Sequence, residues 1–478
     1  MKIALVYPSR QSDEKQMPLG LGYLASFILS KNSNIKVKAL DTGVARKKEI
    51  TSFIRDDYDL VGISVTSKAY AEAVNLAKMF KEHNPNVVIV LGGPHVSIMK
   101  QEIMREPLID LAIYGEGELS FDDLIKVLSR TNNQPTARAL AKINGLIYRN
   151  GSQVVVNAPR EPIKNLDTIP FPAFSLFPLK RYPGKYPMIT SRGCPFSCVF
   201  CVSSQIWGRK WRARSPENII AEVKYLLKNF EPRPIDFHDD GFNISLERVK
   251  ALCDKFIEEK VKIPWGVRGF RADMVNSKVA EKMHRSGCSH VAIGIESANN
   301  EMLIQMGKNE SIETINKGIT ILRSAGIDVV GQFMIGNPGE TLETVLESMK
   351  FVEKSDLNKA IFGSAVPFPN SGLWDYVNEH GSFLVEPDCT KFEALSPRVI
   401  FETPEFTKEE RLKALKLVEE AGLAALGCRS TGIKISLGSV LRSVCFKYLY
   451  GWLPRSISYK LYFFLRSIRT KVLSSKKR

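Results

Sequence analysis

Three cysteines share the stretch Ser191-Arg-Gly-Cys-Pro-Phe-Ser-Cys-Val-Phe-Cys201. Cys194, Cys198 and Cys201 have the spacing C-x3-C-x2-C. Thiolates this close on one loop can converge on one face of a four-iron iron–sulfur cluster, which needs four ligands and here receives three. One iron would then be open to a small molecule. A structural zinc site is the alternative, but zinc sites normally have four protein ligands and usually contain C-x2-C pairs.

The residues before this loop alternate between strand and helix patterns. Strands are predicted at Lys2–Tyr7, Val37–Asp41, Leu60–Val65, Val87–Leu91 and Leu111–Tyr114, with amphipathic stretches between them. Five such βα units predict an α/β fold with an open, doubly wound parallel sheet of the Rossmann-like kind. Ligands of these sheets bind beyond the carboxyl ends of the strands.

Small and polar residues follow three of these strands, in Ser64-Val-Thr66, Gly92-Gly-Pro-His95 and Gly115-Glu-Gly-Glu118. Such residues let a flat ligand come close to the backbone. The candidate ligand-binding residues of this sheet are Ser64, Thr66, Gly92, Gly93, Gly115 and Glu116. Glycine-rich strand ends also occur in nucleotide-binding and receiver-like sheets, so this pattern alone leaves the ligand open.

Residues from about 186 to 380 repeat the alternation of strands and helices. Strands are predicted at Pro187–Thr190, Ile235–His238, Trp265–Phe270, His290–Ile295, Val329–Ile335 and Ala360–Val366, and helices at 216–229, 245–259, 276–286, 311–325 and 341–354. Six βα repeats are too few for an eight-stranded barrel and predict a partial, TIM-like (β/α)6 barrel with its active site at the carboxyl ends of the strands. The proline-rich residues 146–185, which include a short apolar strand pair, predict an extended linker.

In this order, the segments resemble the radical S-adenosylmethionine (SAM) enzymes that carry a cobalamin-binding domain ahead of the barrel. The cysteine loop, with Phe200 before its third cysteine, resembles that family's cluster loop. The resemblance implies a cobalamin-binding domain at 1–145, a linker at 146–185, a radical SAM barrel at 186–380 and a helical, basic region at 381–478. It also implies three cofactors: a 4Fe-4S cluster, SAM on its open iron, and cobalamin.

The resemblance assigns contacts with SAM to the ends of the barrel strands. His238-Asp-Asp-Gly-Phe-Asn243 stands where the family binds the SAM amino group, so Asp239 or Asp240 would meet that ammonium. One of the two could instead cap a helix. Arg271, in Arg268-Gly-Phe-Arg-Ala-Asp273, would meet the SAM carboxylate as a bidentate partner, unless it forms a surface pair with the aspartate two residues on.

The fourth and fifth barrel strands carry the remaining candidates for SAM binding. Glu296 follows Ala292-Ile-Gly-Ile, and a carboxylate buried at a barrel mouth needs a partner, which the resemblance identifies as the SAM ribose or methionyl group. In Gly331-Gln-Phe-Met-Ile-Gly-Asn-Pro-Gly-Glu340, the resemblance implies that Gly331 and Gly336 admit the adenosyl group closely. Glu340 could be no more than a helix-start residue.

The motif D-x-H-x-x-G, which supplies a histidine to cobalt in other cobalamin proteins, is absent. The loop after the first strand, Pro8-Ser-Arg-Gln-Ser-Asp-Glu-Lys-Gln-Met17, contains no histidine, so cobalt would lack a lower histidine ligand. His95 is the one exception to consider, although a histidine at a strand end is more often a hydrogen-bonding or packing residue.

The net charge of +16 is unevenly distributed. From Arg429 to Arg478 there are twelve Lys and Arg and no Asp or Glu, so subtracting these twelve leaves about +4 on residues 1–428. This distribution argues against a nucleic-acid partner. Aromatic residues alternate with the basic ones in the tail, which predicts either an amphipathic element on anionic lipid or a helical cap packed on the barrel.

No apolar run reaches the roughly 18 residues of a membrane span, and no signal-peptide pattern opens the chain. Five cysteines outside the loop, Cys253, Cys288, Cys389, Cys428 and Cys445, show no pairing pattern, which is typical of a reducing compartment. We therefore expect a cytoplasmic protein whose membrane contact, if it has one, is peripheral at the inner face and made by the tail.

The resemblance implies reductive cleavage of SAM to a 5′-deoxyadenosyl radical, which removes hydrogen from an unactivated carbon. The favoured outcome is methyl transfer from methylcobalamin to a small-molecule or lipid substrate, with electrons from a donor such as flavodoxin or ferredoxin. Radical ring closure, as in porphyrin cyclase-like members, is the first alternative. A cobalamin or iron–sulfur sensor without turnover is the second, and acidic residues at the barrel mouth weaken it.

Overall fold

The computed structural model describes residues 1–9, 15–392 and 398–423. Within these ranges the first sheet has seven strands in the order β2-β1-β3-β4-β5-β6-β7. The first five are parallel, whereas β6 and β7 are antiparallel to their neighbours. The strands are β1 (Lys2–Tyr7), β2 (Lys36–Asp41), β3 (Leu60–Ser64), β4 (Val88–Gly92), β5 (Leu111–Ile113), β6 (Leu146–Asn150) and β7 (Gln153–Val156).

Helices cover both faces of this sheet because its strands are apolar on both sides. Along β1, Ile3 and Leu5 belong to one buried cluster and Ala4 and Val6 to another. Successive residues of a strand point to opposite faces, so both faces are core, and the expected doubly wound sheet is confirmed. The helices are α1 (Leu19–Lys31), α2 (Lys47–Ile54), α3 (Tyr70–His83), α4 (Pro94–Met99), α5 (Gly117–Arg130) and α6 (Ala137–Leu140).

The first sheet extends past residue 145 into the segment that the sequence assigned to the linker. Ile113 pairs with Leu146 in an antiparallel register, and a turn at Gly151, with φ of +61°, leads from β6 into β7. Leu146 and Ile147 are fully buried. The apolar strand pair of the linker therefore completes the edge of the sheet, because burying these side chains against β5 stabilises the pairing.

The second sheet forms the expected partial barrel, with six parallel strands in the described residues. Their order is β8-β11-β12-β13-β14-β15, and β9 and β10 form a separate two-stranded ladder. The strands are β8 (Tyr186–Met188), β9 (Ser191–Arg192), β10 (Arg212–Ala213), β11 (Ile235–Phe237), β12 (Trp265–Phe270), β13 (Cys288–Glu296), β14 (Asp328–Ile335) and β15 (Lys359–Ser364). Two further short strands, β16 (Ser382–Phe383) and β17 (Phe401–Glu402), pair with each other.

Helices pack on the outer face of the barrel, and polar side chains such as Asp236 lie on its inner face. Ile235 and Phe237 are fully buried among the helices, whereas Asp236 between these two residues faces the lumen side. Polar caps begin the helices, as where Ser215 accepts a hydrogen bond from Asn218 N at 3.1 Å. The helices are α7 (Ser203–Trp207), α8 (Pro216–Asn229), α9 (Leu246–Glu258), α10 (Ser277–Arg285), α11 (Asn300–Gln305), α12 (Ile312–Ser324), α13 (Leu342–Lys354), α14 (Gly372–His380) and α15 (Lys408–Glu420).

Within the described ranges, no helix has the length and apolar character needed to cross a membrane. The basic tail from Arg429 to Arg478, for which membrane contact was predicted, lies outside the described residues.

Short 3-10 helices lie at Ser67–Ala69, Lys100–Arg105, Leu166–Thr168, Phe174–Leu176, Leu179–Arg181 and Cys389–Lys391.

Candidate active site

The cysteine loop begins and ends at the ladder of β9 and β10. Ser191 pairs with Ala213 and Arg192 with Arg212, so the two ends of the loop are held side by side. Gly193 follows with φ of +85°, and a Cβ atom there would lie 2.6 Å from the carbonyl oxygen of Lys210. Only glycine fits this neck without a shift of backbone, which fixes the direction in which the cysteines leave it.

The three thiols lie on the part of the loop that faces the barrel. Cys194 and Cys198 are half-buried and Cys201 is exposed. Between them, Val199 donates to the carbonyl of Met306 at 2.9 Å and accepts from Leu373 N at 2.9 Å. These two backbone bonds attach the loop to the barrel on either side.

Two cations, Lys308 and Arg271, and two carboxylates, Asp240 and Glu296, act on the thiols of the loop. Burial raises the pKa of Cys198, while the positive charges of Lys308 and Arg271 act to lower it. A metal ion deprotonates thiols that bind it, and these two cations would stabilise the resulting thiolates.

The described residues do not form a closed site for one metal ion. Among them, no three His, Cys, Asp or Glu side chains converge as ligands of a single ion. A zinc site needs four donors around one point, whereas a cluster places each thiolate on a different iron. The loop offers three thiolates, which is one donor fewer than a closed zinc site needs and is the number that a four-iron cluster with one open iron requires.

Asp239 and Asp240 follow β11 but have different surroundings. Asp239 is 4% exposed, and its carboxylate accepts from Thr190 N at 2.6 Å, from Thr190 Oγ1 and from Ser191 Oγ at 2.7 Å. Asp240 is exposed and accepts from Ser203 Oγ at 2.6 Å. Its negative charge acts to raise the pKa of Cys194, which places it beside the thiols. Asp239 is thus bonded within the chain, and Asp240 is the carboxylate that faces the loop.

Arg271 makes the pair with Asp273 that the sequence left as the alternative. Its Nε and Nη2 donate to the two carboxylate oxygens of Asp273 at 3.0 and 2.9 Å, and Nη2 lies 3.2 Å from Glu310. The guanidinium also lies 3.7 Å from the ring centroid of Phe196 in the cysteine loop. A bidentate contact with a SAM carboxylate would require Arg271 to change these partners.

Glu296 is held in an unusual backbone conformation at the end of β13. Its φ is +69°, and the register of β13 with β14 shifts between Gly294 and Glu296. Its carboxylate lies over Gly294, where a Cβ atom would be 2.4 Å from Oε1. Burial raises the pKa of Glu296, and Lys308 Nζ is 4.0 Å from Oε1. Left-handed backbone at a non-glycine residue is typical of functional sites, so Glu296 remains a candidate ligand.

The packing does not support the roles predicted for Gly331 and Gly336. A Cβ at Gly331 would lie 2.8 Å from Leu357 on the outer face, because alternation places Gly331 away from the lumen. A Cβ at Gly336 would lie 2.4 Å from Arg411 Nη1, so its space is filled from within the chain. Glu340 accepts from the backbone N–H groups of Gly336 and Asn337, which is a structural role.

A cavity of about 590 Å³ lies between the two sheets. All six residues predicted from the first sheet line it: Ser64, Thr66, Gly92, Gly93, Gly115 and Glu116. Gly93 has φ of +94°, and a Cβ there would lie 2.8 Å from Val65 N, so the turn at this strand end requires glycine. The cavity therefore lies at the carboxyl ends of the parallel strands, where a flat ligand can reach the backbone.

The opposite wall of this cavity consists of residues that the sequence did not single out. Arg192, Ile206 and Trp207 of the cysteine loop, together with Ile189 and His238 of the barrel, line it. Arg192 bonds to Glu118 at 2.6 Å, and Arg212 bonds to Glu116. Only the position of Arg192 and Arg212 near the cysteine motif could have marked them as site residues. Their partners, Glu118 and Glu116, are too distant in sequence for a local pattern to pair them.

His95 does not reach the cavity. It is 1% exposed, and its Nδ1 lies 3.0 Å from Ser67 Oγ. Burial lowers the pKa of His95 to about 4, so the ring is neutral near neutral pH. His95 therefore has the packing and hydrogen-bonding role that its position made the simpler expectation. Part of the histidine-free loop, residues 10–14, lies outside the described residues.

Comparison with known proteins agrees with both halves of this site. Residues 188–352 match the family model of the radical SAM superfamily, and residues 11–125 match the model of the B12 binding domain. An uncharacterised methyltransferase of Pyrococcus horikoshii is 36% identical over 431 residues, which cover 87% of this chain and 91% of the relative.

Two further proteins of known activity are more distant. The anaerobic magnesium-protoporphyrin IX monomethyl ester cyclase of Rubrivivax gelatinosus is 26% identical, over 83% of this chain and 73% of the relative. The solved structure of the radical SAM methyltransferase TsrM of Kitasatospora setae, with tryptophan and a SAM analogue bound, superposes with a TM-score of 0.67. It is 19% identical and covers 78% of this chain and 75% of its own, so it supports the fold.

Proposed function

The chain belongs to the cobalamin-dependent radical SAM enzymes, and from this premise we propose that it methylates an unactivated carbon of a small organic substrate. Its cofactors are a 4Fe-4S cluster, SAM and cobalamin. The relative with the highest identity given above is named a methyltransferase, which supports methyl transfer as the outcome.

One observation carries the proposal. A single cavity is lined on one side by the glycine-rich strand ends of the first sheet and on the other by the cysteine loop and the barrel. Gly92 and Gly115 belong to the wall formed by the first sheet. Arg192, Trp207 and His238 belong to the opposite wall. Methyl transfer requires a donor and an acceptor carbon held face to face with water excluded, and this cavity can hold both.

Different residues of this chain would bind the cluster and SAM. Cys194, Cys198 and Cys201 would hold the cluster, and Phe200 would pack beside it. Asp240 would accept from the SAM ammonium, and Glu296 would accept from the ribose hydroxyls or bind the methionyl part. When bound, the cluster with SAM supplies an organic radical and the cobalamin supplies a methyl group. The cysteine loop and the strand ends of the first sheet would keep these groups aligned and exclude water.

The reduction of the cluster needs an electron donor, for which we propose a small redox protein such as flavodoxin or ferredoxin. Cys201 is the exposed thiol of the loop, so the cluster would lie close enough to the surface for such a partner. Oxidative ring closure is the second candidate function, and the 26% identical porphyrin cyclase supports it. A sensor without turnover has no comparable support.

Methyl-labelled SAM distinguishes these functions when given to the anaerobically reconstituted protein with candidate substrates. Methylation predicts label in the product, with 5′-deoxyadenosine and S-adenosylhomocysteine formed together. Ring closure predicts 5′-deoxyadenosine without transfer of label. No 5′-deoxyadenosine under any reducing condition would contradict both enzymatic functions and favour the sensor.

We further propose that the protein is cytoplasmic and that its tail contacts anionic membrane, which would bring a lipid substrate to the barrel. The twelve basic residues after Gly427 would each contribute roughly 1 kcal/mol near such a surface, less as salt rises. Flotation of the full chain with anionic liposomes, compared with a chain ending at Gly427, tests this. Equal and negligible flotation of both would show that the tail does not bind lipid.

A further inference from the structure

Arg271, which directly follows β12, joins the barrel to the cysteine loop. Its guanidinium lies 3.7 Å from the ring centroid of Phe196, the shortest cation–ring distance among the described residues. Phe196 lies midway between Cys194 and Cys198 in the sequence. The contact therefore reaches the middle of the segment that connects two of the proposed cluster ligands.

The other contacts of Arg271 fix its guanidinium against this ring. Nε and Nη2 donate to the two carboxylate oxygens of Asp273 at 3.0 and 2.9 Å, and Nη2 lies 3.2 Å from Glu310 Oε1. Nη1 and Nη2 also donate to the carbonyl of Lys308 at 3.3 Å. The side chain of Arg271 is 11% exposed, and that of Glu310 is fully buried. We call Phe196, Arg271, Asp273, Lys308 and Glu310 the Arg271 network.

The barrel also holds the main chain of the loop just after Phe196. Val199 donates to the carbonyl of Met306 at 2.9 Å. Gly307 has φ of +66°, and a Cβ atom there would lie 3.1 Å from Ser197 O, so glycine permits this close approach. These contacts fix the backbone on the carboxyl side of Phe196, and the Arg271 network fixes its ring.

The backbone of Phe196 in turn contacts the first cysteine. Burial raises the pKa of Cys194, and a hydrogen bond from the backbone N–H of Phe196 acts to lower it. Hydrogen bonds to the sulfur atoms help to set the reduction potential of an iron–sulfur cluster. The position of Phe196 therefore affects both the placement of a cluster ligand and the electron affinity of the cluster.

The same network makes Arg271 unsuitable as a ligand of SAM. A bidentate contact with the SAM carboxylate would replace its bonds to Asp273 or to Lys308. It would also move the guanidinium away from the buried Glu310, and a buried carboxylate that loses a cationic partner is costly.

We propose that Arg271 is a positioning residue that holds the cysteine loop, through Phe196, in the conformation that binds the cluster. The inference rests on the cluster-binding role proposed above for the three cysteines. A loop that is fixed before its ligand arrives loses less conformational entropy on binding. The guanidinium suits this role because its planar fork can bond to acceptors at its edge while its face packs on an aromatic ring.

Release of iron to a chelator, measured on the reconstituted holoenzyme without SAM, tests this role. Phe196→Leu removes the ring but leaves the ion pairs of Arg271 intact, and it should speed release about fivefold. It should also make the reduction potential of the cluster more negative, because the N–H group next to Cys194 is less well fixed. Phe196→Tyr keeps the ring and should restore slow release.

Arg271→Gln should speed release at least as much as Phe196→Leu, and the double variant should add little, because both substitutions remove the same contact. Phe196→Leu decides the proposal even if Arg271→Gln folds poorly, since Glu310 keeps its cation in Phe196→Leu. The matched control is Arg323→Gln. Arg323 is similarly buried, at 14% side-chain exposure, but its partners Asp328 and Asp356 lie outside the loop.

Binding of labelled SAM, expressed per bound cluster, separates positioning of the loop from contact with SAM. Arg271→Gln should keep this affinity within about twofold of that of the unmodified protein. The proposal is overturned if Arg271→Gln weakens SAM binding about tenfold with unchanged release of iron. It is also overturned if Phe196→Leu releases iron as slowly as the unmodified protein, or if Arg323→Gln releases it as fast as Arg271→Gln. Iron that stays bound after all three cysteines are replaced by Ala would instead contradict the proposed cluster site.

Discussion

Arg192, at the neck of the cysteine loop, donates from Nη2 to Glu118 Oε1 of the cobalamin domain at 2.6 Å. The two side chains are 5% and 7% exposed. Arg192 also lies 3.6 Å from Glu116, and its guanidinium lies 5.1 Å from the ring centroid of Trp207. Because all four residues line the cavity, this buried pair joins the wall formed by the first sheet to the loop that would hold the cluster.

Glu118→Gln should destabilise the protein by about 3 kcal/mol at neutral pH, because it leaves the buried charge of Arg192 without its main partner. Burial acts to raise the pKa of Glu118, but Arg192 outweighs it and holds this pKa below its ordinary value. The stabilisation is therefore present above the ordinary carboxylate pKa and is lost as the pH falls through the folded-state value.

Urea unfolding of the holoenzyme at several pH values measures this effect, and the difference between Glu118→Gln and the unmodified protein should shrink on acidification. Glu102→Gln breaks the exposed pair with Arg105 and should cost no more than about 0.5 kcal/mol. Similar losses of unfolding free energy in Glu118→Gln and Glu102→Gln would show that the buried pair stabilises the protein no more than the exposed pair does.

Replacing Cys194, Cys198 or Cys201 by Ala should abolish the cluster and the cleavage of SAM, because two thiolates do not hold the cluster with one iron open. Iron and sulfide content and the yield of 5′-deoxyadenosine are the measurements. Cys253→Ala is the matched control, since this thiol is fully buried on α9 and should affect stability by about 1 kcal/mol without loss of iron. Stoichiometric zinc in place of iron in the unmodified protein would contradict the assignment.

Substitution of the adjacent residues Asp239 and Asp240 should affect different properties: the first stability and the second SAM binding. Asp239→Asn removes a buried acceptor of hydrogen bonds from Thr190 and Ser191 and should cost about 2 kcal/mol of stability. Asp240→Asn should leave stability within about 0.5 kcal/mol, since Asp240 is exposed, but should weaken SAM binding about tenfold. Isothermal titration with SAM and urea unfolding of both variants test this. Unchanged SAM affinity in Asp240→Asn would remove Asp240 from the site.

His95→Ala should leave the cobalt spectrum unchanged, because His95 bonds to Ser67 and does not line the cavity. We expect bound cobalamin without a protein histidine on cobalt. Electron paramagnetic resonance of the cob(II)alamin form is the direct measurement, since a nitrogen ligand splits each cobalt line. Such splitting in the unmodified protein, lost in His95→Ala, would show that the ring reaches cobalt.

Local patterns were sufficient to predict most of the fold. The spacing of apolar residues predicted a strand at Trp265–Phe270 and a helix at 216–229. The structure has β12 and α8 with these same bounds. The six small and polar residues after strands of the first sheet all line the cavity, because parallel strands bring their carboxyl ends together.

What the sequence could not predict depends on partners that are distant in the chain. Arg212 and Glu116 bond across 96 residues, and no local pattern pairs them. Arg271 likewise contacts Glu310 and Phe196, which are distant in the chain, whereas its pair with Asp273 is local and was predicted as the alternative. The face of Gly331 was predictable, since the apolar Val329 and Phe333 share its parity and belong on the outer face.

Glu340 should make the stability of the protein depend on pH. Burial raises the pKa of Glu340 from its ordinary 4.5 to about 7. Between these values the folded state binds more protons than the unfolded state, so the free energy of unfolding should fall as the pH rises, by at most about 3 kcal/mol in total. Glu340→Gln keeps an acceptor for Gly336 N and Asn337 N but cannot ionise, so it should remove this dependence.

Urea unfolding of the holoenzyme across the interval from pH 4.5 to pH 7 measures the effect of Glu340 directly. Glu343→Gln is the matched control, because Glu343 lies in the first turn of the same helix, α13, but is exposed. This control should retain the pH dependence of the unmodified protein, whereas Glu340→Gln should be the more stable variant at the upper end of the interval. A pH dependence that persists unchanged in Glu340→Gln would show that another group carries it.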